Sequence, residues 1–107
     1  MARPRKDLHK ELKQVMKSLG LDENIYYVAP SNNHMEYPCI LYSLARPNVR
    51  YADNGRYLIF NQYDLTVIDR DEDSPIVDAL CGHFSYCSFD RNYISDNLHH
   101  TALTIYF

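Results

Sequence analysis

The sequence predicts an α+β domain, in which an antiparallel sheet of about four strands is flanked by two helices in the order α-β-β-β-α-β-β. Two observations predict this class: signals for two helices, from apolar periodicity near residue 10 and from a helix start at Ser74-Pro75, and apolar strand-length segments separated by turn residues. Links of hairpin length indicate antiparallel pairing. With 107 residues, 46% hydrophobic and 23% charged, residues 1–107 are predicted to form one domain around one core.

The first element is predicted as an amphipathic helix over residues 4–19. Pro4 suits the first turn, and Gly20 suits the position after the last one. Apolar residues recur at helical spacing, at Leu8, Leu12, Val15, Met16 and Leu19. Basic residues recur at spacings of three and four on the opposite side, at Arg3, Lys6, Lys10, Lys13 and Lys17.

The remaining elements follow from apolar alternation and turn chemistry. Strands are predicted at 25–28, 39–45 and 56–70, with loops at 29–38 and 46–55 between them. The segment 71–84 opens a second helix, with Ser74 as N-cap and Pro75 at the first helical position. Two further strands, 86–94 and 99–107, meet at an Asp96-Asn97 turn.

The last strand is predicted to lie inside the sheet. Its alternate residues Thr101, Leu103, Ile105 and Phe107 are expected to pack on the helices. The intervening residues His100, Ala102, Thr104 and Tyr106 are expected to face outward. In the neighbouring strand Phe89 is predicted in the core, and adjacent Asp90 and Arg91 are predicted on opposite faces.

Charge is distributed unevenly along the chain. Residues 1–20 hold six Lys/Arg against two acids, and the remainder holds five against twelve, which gives the net charge of −3. The basic helix residues and an acidic segment (Asp69, Asp71, Glu72 and Asp73) are therefore predicted to meet across subunits. Such a contact joins two different patches, and contacts of this type close into rings when the rotation permits.

Ten Tyr and no Trp add a second compositional signal. Tyr is favoured at protein interfaces, and it also replaces Phe on half-exposed strands. Both interpretations remain open at this stage.

Motifs for chemistry are weak. Cys81, His83 and Cys87, followed by His99-His100, lack a familiar zinc spacing, so neither a metal nor any other cofactor is predicted. His34, Cys39, Ser43 and Asp64 could be assembled into a triad, but no motif places a nucleophile beside a base, and an enzyme is not predicted.

The three Cys are odd in number and lack the spacing of a disulfide framework, so they are expected to be reduced thiols. Neither a membrane-spanning run nor a signal peptide is recognised, so synthesis in a cytosol is expected.

The basic helix alternatively suits a nucleic-acid-binding module, although a pI of about 5.9 argues against it.

Several stretches resemble small neck proteins of long-tailed bacteriophages. They include "MEYPCILYSL", "RYADNGRYL", "YDLTVIDRDEDSPIVDAL" and "CSFDRNYISDNLHHTALTIYF". The resemblance covers Glu36 to Phe107. It rests on an ordered set of short motifs, Tyr37-Pro38, Tyr51-Ala52-Asp53, Asp69-Arg70, Ser88-Phe89-Asp90-Arg91 and Asp96-Asn97-Leu98. The most similar group is the tail terminators, also called tail-to-head joining or tail completion proteins.

The resemblance implies a six-membered ring of identical subunits in the virion neck. Such a ring caps the tail-tube protein, stops tube growth and docks the head connector, while DNA passes through the lumen as cargo. A head-completion, stopper or adaptor ring is the closest alternative. The two loops, 29–38 and 46–55, are expected to make the contacts with the tail tube and the head connector. The second loop has a composition typical of contact hot spots, with Arg50, Tyr51, Asp53, Arg56 and Tyr57.

Overall fold

The computed structural model describes residues 3–28, 35–53 and 56–107, and only the backbone of residues 51–53 and 56–58. Its elements are α1 (Arg5–Ser18), β1 (Ile25–Tyr27), β2 (Cys39–Asp53), β3 (Arg56–Asp69), α2 (Pro75–His83), β4 (Cys87–Ser95) and β5 (Leu98–Tyr106). The α+β class and the order of helices and strands are confirmed.

The sheet has five strands in the order β1-β2-β3-β5-β4, and it is mixed. The prediction of about four antiparallel strands is therefore wrong in one respect, because β1 pairs parallel to β2, with Ile25 opposite Ile40. The other three pairings are antiparallel. The link between β1 and β2, residues 28–38, is far longer than a hairpin turn. A link of that length allows β2 to run in the same direction as β1.

Both helices pack on one face of the sheet and contact each other. The apolar side of α1 is buried, and so are Ile76 and Leu80 of α2. They meet alternate residues of the central strands, among them Leu65, Val67 and Leu103. The amphipathic period of α1 thus produces the predicted burial.

The helix boundaries follow from local chemistry. The Ser74 hydroxyl accepts a hydrogen bond from the Ile76 N–H at 3.3 Å, and Pro75 occupies the first helical position, as predicted. At the end of α1, Gly20 adopts φ +73°, in the left-handed region that favours glycine.

Strand β5 lies between β3 and β4, as predicted for an inner strand. Leu103, Ile105 and Phe107 are buried on the helix side. Phe107 also exchanges two backbone hydrogen bonds with Asn61, of 2.9 and 3.0 Å. The end of the strand is therefore fixed by both side-chain burial and the backbone ladder.

The loop predicted at 46–55 is wrong for residues 46–53, which belong to β2, and residues 54–55 lie outside the described residues. Strand β2 continues to Asp53 and β3 begins at Arg56. Pro47 and Asn48, two of the residues that suggested a loop, fall at the register shift between Arg46 and Val49, where Asn48 has φ +54° and donates its N–H to Asn61 Oδ1. A strand absorbs such residues in β-bulges.

The outer part of this hairpin is a two-stranded ribbon, residues 46–53 and 56–60. Strand β5 pairs with β3 as far as Gln62, and Phe107 then bonds to Asn61, so within the described residues no third strand accompanies residues 56–60. The Phe60 ring packs on Tyr86 at 5.1 Å. Eight residues of strand span roughly 26 Å. The molecule is correspondingly elongated, 46 × 27 × 25 Å.

Candidate subunit and docking interfaces

The lysines of α1 form an exposed stripe opposite the buried side of the helix. Lys6, Lys10 and Lys17 are exposed, and Lys13 is half-buried. We call these four residues the basic stripe. Their positions agree with the predicted stripe.

Arg3, the fifth predicted member, does not belong to the basic stripe. Its guanidinium carbon lies 3.7 Å from the centre of the Phe107 ring, and its Nη1 is 3.0 Å from Glu11 Oε2. Arg3 precedes the helix, so it does not share the helical periodicity. It instead holds the N-terminal segment against the end of β5.

A polar cluster anchors α1 to the sheet. Arg5 Nη1 donates to the Tyr42 hydroxyl at 3.0 Å, and this hydroxyl is 2.7 Å from His9 Nδ1. Because the Tyr42 oxygen accepts this bond from Arg5, its own proton remains available to His9 Nδ1 when that nitrogen is unprotonated. Burial, with the charges of Lys13 and Arg5, lowers the pKa of His9.

The predicted acidic segment is a turn between β3 and α2, and we call residues 69–73 the acidic turn. Asp69 accepts hydrogen bonds from the Asp71 N–H at 3.2 Å and the Ser74 hydroxyl at 2.8 Å. Asp71 accepts from the Asp73 N–H at 3.0 Å. Two carboxylates therefore shape the turn, while Glu72 and Asp73 are exposed and accept no bond within it.

Glu72 and Asp73 border two adjoining grooves beside the outer strand β4. The volumes are about 280 and 200 Å³. Ile94 lines the larger groove, and Phe89 and Val77 line the smaller one. The acidic turn thus stands at the rim of a partly apolar surface, which is an arrangement typical of protein interfaces.

Within one chain the basic stripe and the acidic turn do not pair. The ion pairs among the described residues join Arg3 and His83 to Glu11, and none joins a stripe lysine to the acidic turn. Both charged patches are thus available to a second molecule.

Strand β4 is an open edge of the sheet and was missed as an interface by the sequence analysis. Along its nine residues only Cys87 is not exposed. Phe89, predicted in the core, is 56% exposed, and Ile94 is 67% exposed. The prediction for Phe89 fails because α2 leaves the edge uncovered there; the only sequence signal was the poor apolar alternation of β4.

A bulge between Phe89 and Arg91 corrects the prediction for Asp90 and Arg91. The extra residue changes the alternation of side chains. Asp90 accepts a 2.6 Å hydrogen bond from the Thr104 hydroxyl, and Arg91 lies over the Tyr93 ring at 5.2 Å. Tyr93 stacks on His100 at 4.8 Å, so both charged residues lie on the sheet face opposite the helices.

The predicted docking residues lie in the ribbon. Arg50 is exposed on β2. For Tyr51, Asp53, Arg56 and Tyr57 the structure describes only the backbone, in which Asp53 pairs with Arg56 and Ala52 with Tyr57. In the other predicted contact loop, residues 29–34 lie outside the described residues, and the Glu36 N–H donates to the Tyr26 hydroxyl at 3.1 Å.

The residues considered for catalysis are not assembled into a site. Cys39 is buried, which raises its pKa to about 12 and disfavours the nucleophilic thiolate. Ser43 and Asp64 are cross-strand partners, and His34 lies outside the described residues.

The residues considered for zinc do not come together as one site. His83 Nε2 contacts Glu11 Oε1 at 3.0 Å, while Cys81 and Cys87 lie side by side. Among residues 3–28, 35–53 and 56–107 no group of three or more His, Cys, Asp or Glu side chains could hold a metal ion.

No family model matches the chain, and no curated protein gives a significant match. In the part of the chain that the structure describes, no helix is long and apolar enough to cross a membrane.

Proposed function

We propose that this chain is a structural subunit of a phage neck, a tail terminator whose copies join into a ring, six in number by the resemblance. The ring caps the tail-tube protein and presents a docking surface to the head connector, with DNA passing through its lumen. The proposal draws on the resemblance of residues 36–107 and on the surfaces of the folded chain.

The observation that carries the proposal is the ribbon formed by residues 46–53 and 56–60. A two-stranded hairpin that no third strand accompanies is at best marginally stable in water, and the contact of the Phe60 ring with Tyr86 at 5.1 Å lies at the base of this one. A chain of 107 residues that extends such a hairpin past its own sheet gains stability when the hairpin rests on another subunit. An arm that crosses to a neighbour is well suited to holding a ring or gripping the end of a tube.

Two further features support assembly from identical copies. The basic stripe and the acidic turn carry opposite charge and have no mutual contact within the chain, which suits a front-to-back contact between neighbours. The open β4 edge exposes Phe89, Tyr93 and Ile94. Exposed edges are normally protected in monomers, so an edge with three large apolar side chains favours a covered state.

The net charge suits a conduit for DNA. Each chain carries a formal charge of −3, so a ring of these subunits is acidic as a whole. Carboxylates near the phosphate backbone repel it, whereas a lysine-lined lumen would bind it. DNA can then slide through without being held.

Two alternatives remain distinct. A head-completion, stopper or adaptor ring would use the same arm and edge but would contact the portal instead of the tail tube. A nucleic-acid-binding module would use the exposed Lys6, Lys10 and Lys17. That module predicts tight, salt-dependent DNA binding that disappears when Lys10 and Lys13 are changed to Glu.

The deciding experiment removes this chain from an assembling phage and examines the products by electron microscopy. A tail terminator predicts tubes of uncontrolled length and filled heads without tails. Tails of normal length beside leaking heads would contradict the proposal and favour a stopper. Normal particles would contradict both neck functions.

A further inference from the structure

Two cysteines lie next to each other between the end of α2 and the start of β4. The Sγ atoms of Cys81 and Cys87 are 3.5 Å apart. Cys81 belongs to the last turn of α2, and Cys87 is the first residue of β4. Six positions separate them in sequence, so their proximity depends on the folded path of the intervening segment.

That path is fixed by the fold. The Phe84 side chain is buried, and its N–H donates to the Leu80 carbonyl at 3.0 Å. The Tyr86 carbonyl accepts from the Tyr106 N–H at 3.1 Å, which attaches the segment to β5. The two thiols are thus held together by anchored elements on both sides.

The two thiols differ in environment. Cys81 is exposed, and Cys87 is half-buried among core residues. Burial, the hydrogen bond with Cys81 and the charges of Cys81 and Asp90 raise the pKa of Cys87 to about 12. Cys81 is therefore the thiol that solution reagents reach first, and Cys87 is held nearby in its protonated form.

We propose that Cys81 and Cys87 form an oxidation site, at which a small-molecule disulfide of the glutathione type converts the pair into an internal disulfide. A bond of about 2.05 Å requires the sulfurs to approach by roughly 1.5 Å. Rotation of two exposed or half-exposed side chains, with Gly82 in the link, can supply this movement. The third thiol, Cys39, is buried elsewhere and takes no part.

The reaction balances in two exchange steps. The Cys81 thiolate attacks the small disulfide, forms a mixed disulfide and releases one glutathione thiolate, while its proton goes to solvent. Cys87 then loses its proton to solvent and attacks the Cys81 sulfur, which expels the second glutathione thiolate. The protein loses two protons and two electrons, and one glutathione disulfide is reduced to two thiols.

The experiment uses the full-length purified chain under native conditions, in buffers of graded reduced and oxidised glutathione. After an acid quench, free thiols are alkylated in denaturant and the peptides are identified by mass spectrometry. We expect a Cys81–Cys87 cross-linked peptide, an intact mass lower by two hydrogens, and fully alkylated Cys39. The oxidised chain should melt about 4 °C or more above the reduced chain, because a short loop is closed.

Two matched variants separate the roles of the thiols. Cys87→Ser should accumulate a glutathione adduct on Cys81, which the wild-type chain converts to the internal disulfide. Cys81→Ser should acquire an adduct on Cys87 at least about tenfold more slowly, since the remaining thiol is shielded and mostly protonated. Circular dichroism of both variants checks that the fold is retained.

Three results would overturn the proposal. The first is a stable glutathione adduct on wild-type Cys81 without cross-linking, and the second is a cross-link that includes Cys39. The third is that Cys81 and Cys87 both stay free while a model peptide is oxidised in the same buffer. None of these results bears on ring assembly. Only the biological setting rests on the proposed function, since a virion leaves the reducing cytosol at lysis and would then acquire this disulfide.

Discussion

At the scale of single residues, Phe107 joins both termini of the described chain to the core. Its side chain is 2% exposed, and it contacts the Arg3 guanidinium on one side and the Phe84 ring at 6.0 Å. The segment before α1 and the residue after α2 therefore both lose a contact if this ring is removed.

Phe107→Ala should destabilise the domain by about 3–5 kcal/mol, which is the usual cost of deleting a buried aromatic side chain. Phe89→Ala is the matched control, and it should change stability by less than about 1 kcal/mol because Phe89 is 56% exposed. Urea unfolding followed by circular dichroism measures both. Equal effects for the two variants would contradict the placement of Phe89 at the open edge.

His9 should make the folded state sensitive to acid. Its pKa is lowered in the folded chain by burial and by Lys13 and Arg5, so the unfolded chain takes up a proton first as pH falls. The stabilisation is complete above the unfolded pKa of about 6.5 and is lost as pH falls below it.

The test compares the melting temperature of the wild type with that of His9→Gln at about pH 7.5 and about pH 5.5. The Gln oxygen can still accept the Tyr42 proton but does not titrate in this range, so the variant should lose less stability on acidification. A parallel decline in both proteins would show that other groups are responsible.

At the scale of elements, the prediction succeeded where the signal was local. The caps Ser74 and Gly20 and the apolar period of α1 act within a few residues, so both helices lie within a few positions of their predicted bounds. The Asp96-Asn97 turn is local as well, and both residues have positive φ, 52° and 62°. Such chemistry is readable without knowledge of the rest of the fold.

The errors arose where tertiary pairing overrides local preference. Pro47 and Asn48 normally indicate a loop, yet the register shifts of β2 accommodate them. The parallel partner of β1 depends on residues distant in sequence. Phe89 has a core-type side chain, but whether a helix covers it depends on where α2 ends. The basic stripe and the acidic turn were predictable, while the open β4 edge was not.

The β4–β5 turn allows a direct test of hairpin stability. Asn97→Gly should be neutral or stabilise the domain by up to about 1 kcal/mol, because glycine adopts positive φ without steric cost. Asn97→Val should destabilise it by about 1–2 kcal/mol, since a β-branched side chain is strained there. Thermal unfolding in the same buffer distinguishes them. A Val variant as stable as the wild type would contradict the observed turn geometry.

At the scale of the whole molecule, the proposed assembly depends on contact between the basic stripe and the acidic turn. Changing Glu72 and Asp73 together to Lys should weaken self-association at least about tenfold, because like charges then face each other. Asp69 and Asp71 stay intact because they hold the turn. Asp22→Lys with Glu23→Lys changes the same amount of charge at exposed positions elsewhere and should leave association unchanged.

Mixing two charge-reversed variants tests whether the basic stripe contacts the acidic turn, because association is then restored between complementary charges. Chains carrying Lys10→Glu and Lys13→Glu, mixed with the Glu72→Lys and Asp73→Lys chains, should assemble where neither variant assembles alone. Sedimentation velocity measures each mixture. Full assembly of the acidic-turn variant by itself would exclude this contact as the basis of the ring.

The most direct test of the central claim is the native mass of the purified chain over a wide range of concentration. A front-to-back contact that closes gives one large species without a ladder of intermediates, and six copies would have six times the 12.6 kDa of one chain. A single closed species of that mass would agree with the account. Monomers at every concentration, or an open-ended series of sizes, would contradict it.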